Sequence, residues 1–182
     1  MQGLFFLTAV RHPPVVAEGL CFGQSDVPVS VAPEECVDRV HQSLSGRACA
    51  VIWTSPLSRC AQLANCLSAR VGAPVCVDER ILEMSFGVWE GQAWDELTHS
   101  DGVRLSQWMN DWERQRPPQG ESTEDLVERV QDWWNSLDRS AHQLLVAHAG
   151  VVRALRVIQG SSWNEAMEQK VPHLSAEEFP LR

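Results

Sequence analysis

Leu4-Phe5-Phe6-Leu7-Thr8-Ala9-Val10 is an unbroken apolar run that ends on Arg11-His12. A continuous run of strand length reads as a strand buried on both faces, the state of a central strand in an α/β sheet. The runs at 48–54 and 143–147 have the same character, and 74–77 predicts a shorter strand. Helical patterns separate them. Ser55-Pro56 predicts a helix start, a capping Ser before Pro at the first helical position. Behind it Leu57, Cys60, Ala61, Ala64, Leu67 and Val71 recur at helical spacing. Ser122-Thr123-Glu124-Asp125 predicts a capping box with Asp as its acid, opening a helix with a broad apolar stripe. A mostly apolar helix follows the third strand from Gly150 to Ile158. Alternating strands and helices predict an α/β fold, a three-layer, doubly wound, mostly parallel sheet with helices on both faces.

The segment 83–120 breaks this alternation. It carries Trp89, Trp94, Trp108 and Trp112 and is punctuated by Gly87, Gly91 and Pro117-Pro118. It predicts a small helical cap inserted over the sheet's edge, with helices near 93–97 and 102–114. Core and cap packing is the expected role of most of these indoles. The tail from Ser161 predicts a weak helix and a last strand near 174–181.

A chain of 182 residues suits a single domain, 1–182, with its own core. The net charge of −9, without a Lys/Arg block, disfavours nucleic acid as a partner. Apolar runs are too short to span a bilayer. The six cysteines contain no CxxC pair, so zinc and thioredoxin-like readings lack their spacing. The N-terminal run lacks a basic leader and a small-residue cleavage site, so reduced thiols in a cytoplasmic protein are expected. A free sheet edge or an exposed Trp would be compatible with a homodimer.

Three polar clusters each follow a predicted buried strand: Arg11-His12, Ser55-Pro56-Leu57-Ser58-Arg59, and His148-Ala149-Gly150. In open α/β sheets the ligand crevice lies beyond the carboxyl ends of the strands. If the three strands are neighbours, two Arg and two His converge there. Each guanidinium offers a planar fork suited to phosphate oxygens, and nearby helix starts add N–H groups. That is more positive charge than one carboxylate requires, so a phosphoryl group is the better match.

These pieces, RHPPVVAEGLCFGQSDVPVS, SPLSRC, LEMSFGVWEG, PPQGES and VAHAGVVRAL, resemble in order the histidine phosphatase (phosphoglycerate mutase-like) superfamily. The resemblance spans about Leu4 to Gly160, and the first and third pieces look most like its α-ribazole phosphatase-like branch. It implies that His12 attacks phosphorus and carries a transient phosphohistidine. By the same resemblance Arg11, Arg59 and His148 hold the phosphoryl oxygens, and Glu83 protonates the leaving alcohol and then accepts a proton from water. Ala149 and Gln24 are further candidates for binding substrate, and Asp26 is read either that way or as a turn cap. No metal or other cofactor is implied. The expected partner is a small phosphorylated substrate such as α-ribazole 5′-phosphate. Phosphoglycerate mutase-like transfer, protein phosphohistidine hydrolysis and a non-catalytic phosphate-binding module are the alternatives.

The sequence departs from the family pattern at Pro13, where Gly is usual and where a backbone N–H is therefore lost. Ala149 likewise stands where Gly is commoner. Glu90 and Glu121 rival Glu83; Glu90 is read as a turn residue taking backbone hydrogen bonds. Arg153 is expected in a structural ion pair. His41, His99, His142 and His173 are read as structural or solvent-exposed.

Overall fold

The computed structural model describes residues 4–182. Five strands form one sheet: β1 (Phe5–Arg11), β2 (Ile52–Thr54), β3 (Val75–Val77), β4 (Gln143–Ala147) and β5 (Ala176–Leu181). Their order is β3-β2-β4-β1-β5, parallel except for β5, which runs antiparallel to β1 at the edge. The doubly wound, mostly parallel α/β fold read from the runs is the fold observed.

Alternation along the strands assigns the two faces. Val10 of β1 and Leu144 and Val146 of β4 pack with α1 (Pro33–Ser43) and α2 (Ser58–Val71). Leu7, Ala9, Leu145 and Ala147 point the other way, toward α5 (Thr123–Asn135), α6 (Ala149–Ile158) and Trp163 of α7 (Trp163–Glu168). Every residue of β4 is buried, as a strand covered on both faces requires.

Two local readings change. Only Ile52–Thr54 of the 48–54 run pairs as a strand, between β4 and the equally short β3. Helix α2 begins at Ser58 rather than Pro56. Ser55 is not its cap: the hydroxyl lies 2.9 Å from His148 Nε2 and accepts from Leu57 N at 3.4 Å, ahead of the first helical residue. Asp26 does the capping from a distant loop: its carboxylate accepts from Ser58 N at 3.1 Å and from Ser58 Oγ at 2.9 Å. The Ser122 capping box forms as read, with Asp125 reciprocating to the Ser122 backbone.

Within 83–120 lie α3 (Trp94–Ser100) and α4 (Gly102–Asn110), the second four residues shorter than the pattern predicts. Cys21, Trp89, Leu97 and Leu105 make a small core beneath them, apart from the two sheet cores.

Candidate active site

Register brings the three polar clusters to one level. Arg11 pairs with Ala147 and Thr54 with Val146, so His12, His148 and Ser55 leave the sheet side by side. His12 and His148 meet edge to face with ring centroids 5.3 Å apart. Arg11, His12, Arg59 and Glu83 line a single cavity of about 450 Å³.

His12 is 2% exposed. Its Nδ1 lies 2.7 Å from the carbonyl oxygen of Pro13. A carbonyl can only accept, so Nδ1 carries the proton and Nε2 keeps a free lone pair. Pro13 thus gives up an N–H but supplies the acceptor that sets the tautomer. Burial pushes the His12 imidazole down to about 3; the Pro13 bond opposes this, and Arg59, Arg11 and His173 reinforce it. The ring is neutral at physiological pH, as a nucleophile must be.

Arg59 is fully buried, its Nη1 donating to Ser25 O at 2.8 Å and its Nη2 to Gly23 O at 2.5 Å. Its Nε has no partner among the described residues. Arg11 also has an unpartnered buried Nε, while its Nη1 donates to Val171 O at 2.7 Å. Two fixed guanidiniums with spare donors form an anion cradle. His148 is wholly buried behind His12, held by Ser55, and burial with the charge of Arg59 drives it well below its ordinary value.

Glu83 is positioned from both ends. One carboxylate oxygen accepts from Met84 N at 3.0 Å and the other from Gly150 N at 3.1 Å, at the start of α6. Its backbone carbonyl accepts from Gln24 Nε2 at 3.1 Å and Arg129 Nη2 at 2.9 Å. Gln24 therefore acts on Glu83; it does not line the cavity, and neither do Ala149 and His148. Gly150 is required by contact: a β-carbon there would lie 2.1 Å from Glu83 Oε1.

Glu90 lies elsewhere. It accepts from the backbone N–H groups of Gln24 and Phe86, both at 3.0 Å, and from Ser25. Burial opposes its ionisation, yet these bonds hold its carboxyl below the usual range. Glu121 is spent on Ser85 N and Arg129. Neither rival reaches the cavity.

Sequence reasoning missed several contributors. Arg129 ties α5 to the carbonyls of Arg80, Leu82 and Glu83. The segment 171–175 clamps the end of β1 at Arg11 and His12. Leu174 N donates to Arg11 O at 3.0 Å, and His173 Nδ1 donates to His12 O at 3.0 Å. His173 is structural as read, but its ring stands 5.1 Å from that of His12. No local pattern marks either residue, since their partners lie far along the chain.

The walls above this floor are apolar. Phe22, Phe86, Trp94, Trp108, Trp112 and Trp163 line the cavity. Trp94 stacks on Trp108 at 14°, and Phe86 meets both edge to face. Three of the four cap indoles thus line the cavity, where core and cap packing was expected for most of them; of the four, Trp89 is the one buried in the cap core. Arg153 also lines the cavity, and no ion pair engages it among the described residues.

A family profile described as histidine phosphatase superfamily (branch 1) matches residues 7–176. The chain belongs to the histidine phosphatase superfamily. It is an enzyme of the phosphatase type, and its relatives differ in the chemistry their names carry. An adenosylcobalamin/alpha-ribazole phosphatase of Escherichia coli (strain K12) is 29% identical over 154 residues, 82% of this chain and 76% of that protein. A "probable phosphoglycerate mutase" of Yersinia enterocolitica is 32% identical over 144 residues, 76% of this chain and 67% of that protein. The solved alpha-ribazole phosphatase of Shigella flexneri superposes with a TM-score of 0.85 at 24% identity, covering 96% of this chain and 89% of that one. That last likeness bears on the fold.

Proposed function

We propose that this histidine phosphatase hydrolyses a small phosphomonoester through a phosphohistidine on His12. The observation that carries the reading is the Nδ1–Pro13 hydrogen bond, which leaves a neutral Nε2 free on a ring that lines a cavity with Arg11 and Arg59. Nε2 attacks phosphorus and forms the N–P bond while the bond to the alcohol oxygen breaks. Arg11 and Arg59 take the charge spread over the phosphoryl oxygens. Glu83 delivers a proton to the departing oxygen, then takes one from the water that cleaves the N–P bond. Phosphate leaves and both residues return to their starting states. The chain's own cations neutralise the phosphoryl group, so the reaction is expected to run without added metal.

α-Ribazole 5′-phosphate is the first substrate to test. The E. coli relative bears that name, and a fused aromatic base suits indole walls. The mutase-named relative favours a second reading, internal transfer on phosphoglycerate. Six free thiols among the described residues support a reducing, cytoplasmic setting.

The test is hydrolysis of p-nitrophenyl phosphate, α-ribazole 5′-phosphate and 3-phosphoglycerate with EDTA present. Metal-independent release of phosphate, lowered about 10⁴-fold or more in His12→Ala, is expected. Conversion of 3- to 2-phosphoglycerate without phosphate release would instead establish the mutase. A folded wild type that binds phosphate but turns nothing over would make the protein a binding module.

A further inference from the structure

Among the described residues that line the cavity, Arg153 is the one charged group that the reaction above does not use. It lies on α6 one turn beyond Gly150, whose N–H holds Glu83. Its Nε is buried without a partner, and none of its nitrogens donates to any described residue. The contrast with Arg156, on the same helix, is direct. Arg156 is saturated by Glu177 and by the carbonyls of Ala166 and Gln169. A guanidinium that is left half-buried among Trp side chains is costly unless a ligand supplies acceptors.

The one acceptor group nearby is the Glu83 carboxylate, whose charge acts on Arg153 but whose oxygens accept from Met84 N and Gly150 N. Thr123, the remaining polar side chain there, donates its hydroxyl to the carbonyls of Trp112 and Glu113. Trp108 Nε1 and Trp163 Nε1 are buried without partners and add no acceptor. Charge leads to the same conclusion. Arg11, Arg59 and Arg153 bring three positive charges to the cavity. A bound phosphomonoester carries about −1.5 to −2, less than the three guanidiniums bring. About one positive charge is then unmatched.

We propose that Arg153 determines specificity at this site, selecting leaving alcohols with an acceptor oxygen beside the phosphoester, a carboxylate above all. The inference rests on the hydrolytic reading and adds the alcohol's chemistry to it. The indole walls hold the flat apolar body of the alcohol, while the Arg153 fork takes its acceptor. A ribose hydroxyl or ring oxygen satisfies the fork in part, and a carboxylate also matches the charge.

The test compares kcat/KM for phenyl phosphate and 3-carboxyphenyl phosphate, esters that differ only in the anionic acceptor. Wild type should favour the carboxylated ester by about tenfold, the size of one charge-assisted hydrogen bond. Arg153→Met should bring the ratio to about one, and Arg153→Lys should keep part of the preference, because the charge survives without the fork. Hydrolysis of both esters that depends on His12 but shows no preference in wild type would overturn the proposal by itself, without any variant. A preference that persists in Arg153→Met would do the same. Turnover of neither ester by folded wild type would overturn the hydrolytic reading, and this proposal with it.

Discussion

The floor of the cavity comes from strand ends: His12 and Arg11 close β1, Arg59 opens α2 and His148 follows β4. Its walls come from α3, α4, the chain beyond α4 and α7, which supply Trp94, Trp108, Trp112 and Trp163. Floor residues are fixed by hydrogen bonds to backbone atoms, as Arg59 is by Gly23 and Ser25. Wall residues are held by ring against ring, with Trp108 touching Phe86, Trp89 and Trp94. Directional bonds fix a phosphoryl group in one orientation, whereas stacked rings tolerate replacement and shift. In the proposed reaction the floor holds the phosphoryl group and the walls hold the alcohol.

Gly150→Ala would break that division most sharply. The new β-carbon would displace the Glu83 carboxylate while leaving His12 and the cradle in place. A displacement of about 1 Å costs about 10²-fold in rate, so kcat should fall by that order for every ester. Inorganic phosphate should still bind as a competitive inhibitor with a near-normal Ki. Equal loss of phosphate binding would show that floor and acid are one unit.

Trp108→Ala addresses the wall. KM for an aryl phosphate should rise about tenfold, from the loss of stacking and packing area. KM for a compact ester such as glycerol phosphate should move less than about threefold. Equal changes for both would place Trp108 in the fold of the cap rather than in substrate choice.

Acid sharpens the comparison with the smallest effect. His12 is held near 3 in the folded chain, against an ordinary histidine value of 6.5 once unfolded. The unfolded chain binds the extra proton in that window, so stability rises with pH up to about 6.5 and then levels off. His148, also depressed, contributes in the same direction. The Tm of wild type should therefore fall on acidification from about pH 6.5 to about pH 4 more steeply than that of His12→Asn. Parallel curves would mean that the floor histidine is open to solvent protons.

Much of the floor is legible in the sequence because its signals are local. An apolar run that stops on Arg11-His12 states both burial and strand end, and the same holds for Ala147-His148. Glu83 is legible only by resemblance, since a carboxylate in a loop has no periodicity. Ser55 misleads because a Ser before Pro is a good cap, and only the tertiary structure shows its hydroxyl turned to His148. Arg153 suggests a structural ion pair because nothing local shows that α6 turns that face into a cavity. Trp163 and Met167 of α7 reach the walls from outside the segment read as the cap.

The clamp formed by residues 171–175 also sets an order of events in the life of the chain. His12 leaves the ribosome 161 residues ahead of His173, and Leu174 and the strand β5 follow later still. A nascent chain thus carries His12 through all that synthesis without the contacts that fix it. The contacts that hold the end of β1 are therefore complete only after the segment beyond α7 has been made and the edge strand has docked.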